Sequence, residues 1–186
     1  MIRLELNNTV ATFDNYNPRT EKNGPDRVPA CDLNFSIVQS ADVLAFFSPT
    51  LKSHLFDTEG PKDLADGMRL RYPDMGYPLH HDGEMTGVRF EIDSGIKGPM
   101  VFPDSKITKF RYTPMEGGSV IVEFQVQCKP DEKQAGKLYT LQAQNLTVSL
   151  IPADLPEMGD GEAPPADKPK GGKKAAPKNA DGATVQ

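Results

Sequence analysis

Cysteine is scarce: the 186 residues hold two, Cys31 and Cys128. A secreted, turn-rich domain of this size more often carries a larger disulfide framework. The pair therefore fits a cytoplasmic chain with reduced thiols, though sequence alone leaves open whether the two bond to each other. Long apolar runs are missing as well. None approaches the roughly 18 to 20 residues that a membrane-spanning helix needs. No basic-then-apolar leader is present, because residues 1–6 alternate as Ile2, Leu4 and Leu6 against polar neighbours and read as strand. Hydrophobic residues make up only 37%, whereas Pro (17) and Gly (16) are plentiful. That balance favours many turns, hence an all-β or loop-rich fold. Cationic excess is absent too: the formal net charge is −5. Such a chain is not steered generally toward nucleic acid or anionic lipid, although a local groove can still bind DNA.

The motifs of familiar enzymes are missing. There is no Gly-x-Ser-x-Gly, and Cys31 has no evident partner histidine. Gly117-Gly118 lies between two strand-like segments rather than between a strand and a helix, so it reads as a hairpin turn, not a phosphate loop. His80-His81-Asp82-Gly83-Glu84 is the one cluster with metal-ligand chemistry. Adjacent histidines on an extended segment point to opposite sides, and His54 stands apart without Cys-x-x-Cys or His-x-x-x-His spacing. The expectation is a polar loop, no metal, no cofactor and no enzyme.

What the chain does have is alternation. Val120, Val122, Phe124, Val126 and Cys128 are separated by Ile121, Glu123, Gln125 and Gln127. Period two marks a strand with one dry and one wet face. The same signal covers residues 31–38 and the segment around Val88, Phe90 and Ile92. Residues 14–29, broken by Pro18, Gly24, Pro25 and Pro29, read as an exposed loop. Near residues 40–56 the period becomes helical through Val43, Leu44, Phe46, Phe47, Leu51 and Leu55, suggesting two short helices or one kinked at Ser48. Residues 130–136 read as a turn and 137–151 as the closing strand. Ile107 and Phe110 fall out of phase, as do Leu141 and Ala143 against Leu146. Each slip is a candidate β-bulge.

The expected fold is mainly β: one antiparallel domain over residues 1–152, a sandwich or a partly open barrel of about seven to nine strands. One short helical excursion interrupts it at about 40–56. Residues 153–186 lack aromatics, hold Lys168, Lys170, Lys173, Lys174 and Lys178 among Pro, Gly and Ala, and should form a disordered tail.

Single-strand binders need cations interleaved with aromatic rings. Two clusters qualify: Arg69, Arg71 and Tyr72, and Lys109, Arg111 and Tyr112, the latter beside Phe110. Strand parity places Lys109 and Arg111 on one face and Phe110 and Tyr112 on the other, which is also what an ordinary amphipathic strand gives.

Several segments resemble uncharacterised proteins of tailed phages and prophages. They are Asn17-Pro18-Arg19-Thr20-Glu21-Lys22-Asn23-Gly24, Val28-Pro29-Ala30-Cys31-Asp32-Leu33, Ala41-Asp42-Val43-Leu44 with Phe47-Ser48-Pro49-Thr50-Leu51, and Gly117-Gly118-Ser119-Val120. The resemblance spans most of residues 1–152. Such genes often sit among phage replication and recombination genes, which implies an accessory role with DNA or with DNA-processing proteins in the host cytoplasm. The expected function is a non-enzymatic accessory protein that binds single-stranded DNA or a replication or recombination partner. The resemblance transfers no binding residue to this chain. The alternative is a protein-binding module, such as an inhibitor of host defence or a small virion part. Self-association is open.

Overall fold

A computed structural model describes residues 2–57, 68–95 and 98–153. Residues 153–186, expected to be a tail, lie outside this set from residue 154 onward.

Nine strands and two α-helices occur among the described residues. The first two strands, β1 (Leu6–Asn23) and β2 (Asp26–Ser40), form a long antiparallel hairpin. A 3₁₀ segment (Ala41–Phe46), α1 (Leu51–Leu55) and the two-residue strands β3 (Phe56–Asp57) and β4 (Arg69–Leu70) follow. Then come β5 (Leu79–His81), β6 (Met85–Asp93), β7 (Met100–Met115), β8 (Ser119–Cys128), α2 (Glu132–Thr140) and β9 (Asn145–Ile151).

Pairing runs β7–β6–β9–β1–β2–β8 and returns from β8 to β7, so six antiparallel strands close into a barrel. Closure removes the sheet edges that an open arrangement would expose. The short β5 lies along β7 in line with β6, as if one strand were broken at residues 82–84.

Parity explains the interior. On β8, Val120, Val122, Phe124, Val126 and Cys128 are all buried, as the alternation requires. Phenylalanines fill the lumen. Phe35 sits at their centre, 4.8 Å from Phe13, 5.3 Å from Phe90 and 6.0 Å from Phe124 between ring centroids. Barrels of this size are filled by side chains rather than by solvent.

The 3₁₀ segment and α1 bury much of the expected apolar face, but Phe46, expected on it, is exposed. Ala41, Val43, Leu44 and Leu55 are buried in the core cluster, and Phe47 packs 5.5 Å from Phe110 and 5.4 Å from Tyr112. The Ala41 N–H donates to the Gly118 carbonyl at 2.8 Å, fixing this segment to the β7–β8 turn. That turn is the glycine pair, and both residues hold positive φ (Gly117 84°, Gly118 80°).

Three expectations need correction. Residues 14–29 are not a loop: they are paired strand, with Asn23 opposite Asp26 around a Gly24-Pro25 turn. β9 pairs with β1 only as far as Thr12, and β8 pairs with β2 only from Cys31 onward. Beyond these points the hairpin is a two-stranded arm, with no third strand among the described residues. Its alternation is invisible in sequence because neither face is dry. The second correction concerns residues 132–140, which form α2 rather than turn and strand. Asp131 accepts from the Gln134 N–H at 2.7 Å, and the Gln134 side chain accepts from the Asp131 N–H at 3.0 Å. This is a capping box, and Asp-x-x-Gln was readable in the sequence. Helical structure is thus not confined to residues 40–56. Third, the slip at Leu141 and Ala143 marks the end of α2, not a bulge.

The other slip is a genuine bulge. Thr108 pairs with Gln125 and Arg111 with Glu123, so Lys109 and Phe110 together oppose Phe124 alone. Lys109 takes the strain, with φ 53°. The extra residue returns Phe110 to the interior after Ile107.

Candidate functional site

The bulge opens a cleft of about 480 Å³ in the barrel wall where β5, β7, β8, β2 and β1 meet. Register places most of the polar groups around it. His80 lies opposite Arg111 and His81 opposite Phe110. Arg111 lies opposite Glu123, and Gln125 opposite Asn34.

The cleft has mixed charge. Lys109 and Arg111 supply cations, while Asp14, Asp82 and Glu123 supply carboxylates. The Arg111 guanidinium donates to Glu123 Oε1 at 2.9 Å. Lys109 is exposed and has no ion-pair partner among the described residues. Two amides sit deeper, with Gln125 Nε2 donating to Asn34 Oδ1 at 3.1 Å. The exposed His80 and the half-buried His81 line the β5 side, and the His81 ring rests 5.6 Å from Phe47.

At the opposed positions Thr108 and Gln125 two polar atoms are buried without a hydrogen-bond partner, Thr108 Oγ1 and Gln125 Oε1. An unsatisfied buried group costs about 1–3 kcal/mol. Thr108→Val removes one such group and keeps the β-branched shape that a strand favours. Thermal unfolding should therefore show an unchanged or higher Tm, by up to about 3 °C, given about 2–4 °C per kcal/mol at this size. A clear fall would mean that the hydroxyl is satisfied.

The structure separates the six residues expected from sequence. Lys109 and Arg111 share the cleft. Tyr112 does not present a ring there: it is 6% exposed, and burial pushes its phenol pKa up. This corrects its candidacy as a stacking residue, and the physical reason is strand parity. Arg69, Arg71 and Tyr72 do not line the cleft. Arg69 pairs with Asp57 on the small β3–β4 ribbon, and the Arg71 N–H donates to the Leu55 carbonyl at 2.9 Å. Tyr72 is 38% exposed, with its ring 5.5 Å from His54.

Sequence reasoning missed Asn34, Gln125, His80 and Asp82 as neighbours of Lys109. No local signal distinguishes Gln125 from Gln127 or Glu123, since all three occupy polar positions of one strand. Only the cross-strand register brings them together. Among the described residues no group of three or more His, Cys, Asp or Glu side chains is arranged to hold a metal ion. No described helix is long and apolar enough to cross a membrane. No protein-family model, curated protein or solved structure matches the chain.

Proposed function

We propose that this chain is a non-catalytic accessory protein, of the kind tailed phages encode, that binds single-stranded DNA at the β7 bulge. One observation carries the reading. Lys109 occupies a left-handed backbone conformation that costs a non-glycine residue about 1–2 kcal/mol, yet it is a lysine with no partner among the described residues. A strained residue at a cleft is grounds for a functional hypothesis.

The surrounding groups suit a nucleotide. Lys109 and Arg111 can reach phosphate oxygens. Asp14, Asp82 and Glu123 repel phosphate but accept hydrogen bonds from exocyclic base amines. The exposed His80 imidazole offers a stacking face. Two cations against three carboxylates means few phosphate contacts, hence weak binding that avoids duplex DNA.

A salt series on an unstructured, fluorescently labelled oligonucleotide tests this. With two phosphates neutralised, log K against log salt should have a slope of about −1.4. A salt-independent affinity, or no binding at low salt, would contradict the proposal.

A second reading, a protein-binding module, draws on the arm. Pro18 and Pro29 remove backbone donors from its edges, and Arg19, Glu21, Lys22, Asp26 and Arg27 give it both charge signs. Arg19 is already committed to Asp32 (2.7 Å) and Glu21, and its guanidinium holds the Glu21 carboxyl below its ordinary pKa. Such a ribbon is protected from strand addition and presents side chains instead. Shortening the arm should abolish a partner complex while leaving oligonucleotide binding intact if this reading holds.

A further inference from the structure

We propose that Cys31 and Cys128 form an oxidation site: hydrogen peroxide or a small-molecule disulfide converts the two thiols into an intramolecular disulfide that ties β2 to β8 at the root of the arm. The inference is independent of what the cleft binds. Its basis is register. Cys31 and Cys128 are directly opposed on β2 and β8, and their Sγ atoms lie 3.4 Å apart. Opposed residues of an antiparallel pair have Cα atoms about 4.5–5.5 Å apart, inside the about 4.4–6.8 Å range that a disulfide spans. Both are free thiols, separated by 97 positions in sequence. No backbone rearrangement is required to join them, only a short approach of the sulfurs.

The thiols share a hydrogen bond in which either sulfur can donate, and accepting that bond lowers a thiol's pKa, as for Cys31. Either thiol can therefore attack first; when Cys31 is the nucleophile, Cys128 is the resolving thiol. With peroxide, the Cys31 thiolate attacks one oxygen, the O–O bond breaks and hydroxide leaves, giving a sulfenic acid. The Cys128 sulfur then attacks the Cys31 sulfur, the S–O bond breaks, and the displaced hydroxide takes the Cys128 proton. Two thiols and one peroxide become one disulfide and two waters. Both side chains are buried, Cys31 fully and Cys128 at 3% exposure. Cys128 nevertheless belongs to the lining of a second cleft, of about 220 Å³, which also holds Arg19, Lys106 and Lys129. A small oxidant entering this cleft meets Cys128 first, with the Cys31 sulfur 3.4 Å behind it.

The position gives the bond a consequence. Cys31 is the last residue of β2 to pair with β8 before the arm departs, and it also lies opposite Pro18 of β1. A bond there fastens the arm's base to the barrel wall.

The test uses the full chain, purified with reductant, desalted and exposed to hydrogen peroxide or oxidised glutathione while folded. Intact mass should fall by about 2 Da without dimer formation, peptide mapping should recover a Cys31–Cys128 cross-link, and both thiols should vanish from titration. Thermal unfolding of the oxidised form should shift upward by about 5 °C or more, because the bond closes a long loop. Cys128→Ser should instead leave Cys31 as a sulfenic acid trapped by dimedone, or as a glutathione adduct. The proposal fails if the folded protein keeps both thiols until urea is added, or if oxidation yields intermolecular dimers or two independent adducts.

Discussion

Phe35→Ala should destabilise the fold by about 3–5 kcal/mol, the range for emptying a phenylalanine site in a packed core. The ring is 1% exposed and stands among Phe13, Phe90 and Phe124, contributed by β1, β6 and β8. Those strands are fixed around the closed ring, so they cannot collapse freely into the space left behind. Domains of this size are stable by only about 5–15 kcal/mol. The variant should unfold at much lower urea, with a Tm lower by about 10 °C or more. Phe35→Leu keeps most of the volume and should lose markedly less. Equilibrium urea denaturation followed by circular dichroism measures both. A loss under about 1 kcal/mol for the alanine variant would mean that the lumen is not packed around this ring.

Charge reversal at the bulge should separate binding from stability. Lys109→Glu with Arg111→Glu removes both cations from the cleft and leaves Glu123 facing a like charge. Each charge-assisted contact contributes about 1.5–3 kcal/mol, and each 1.4 kcal/mol is about tenfold in affinity. Oligonucleotide affinity at low salt should therefore fall by at least about 100-fold. Stability should change little, since the Arg111–Glu123 pair is partly exposed and such pairs are worth about 0–1 kcal/mol. Lys109→Gly sharpens the test. Glycine relaxes the left-handed backbone, so this variant should unfold at higher urea than the parent while binding DNA more weakly. A gain in stability with no loss of binding would leave the strained lysine without a role in the cleft.

The architecture was legible where one strand face is dry and the other wet. β8 followed from parity, its hairpin with β7 from the Gly117-Gly118 turn, and the bulge from the misfit of Ile107 with Phe110. The arm was not legible because both of its faces are wet, so alternation carries no contrast and its prolines imitate a loop. The helix α2 was obscured because only Leu138 on it is buried, leaving no apolar stripe. Its capping residues, Asp131 and Gln134, were the available signal. Of the cleft, only its two cations, Lys109 and Arg111, were visible. The rest depends on register across strands far apart in sequence, with Asn34 and Gln125 separated by 91 positions. No reading of single segments could place them together. Tyr112 shows the converse case, where parity already indicated the interior and composition suggested a stacking platform.

The most direct measurement is a residue-resolved map of amide resonances during titration of the folded chain with short oligo-dT. If the β7 bulge is the working surface, perturbations concentrate at residues 80–82, 108–111 and 123–125 and fade as salt is raised. Perturbations confined to the arm, or a spectrum that oligo-dT leaves unmoved at low salt, would contradict it.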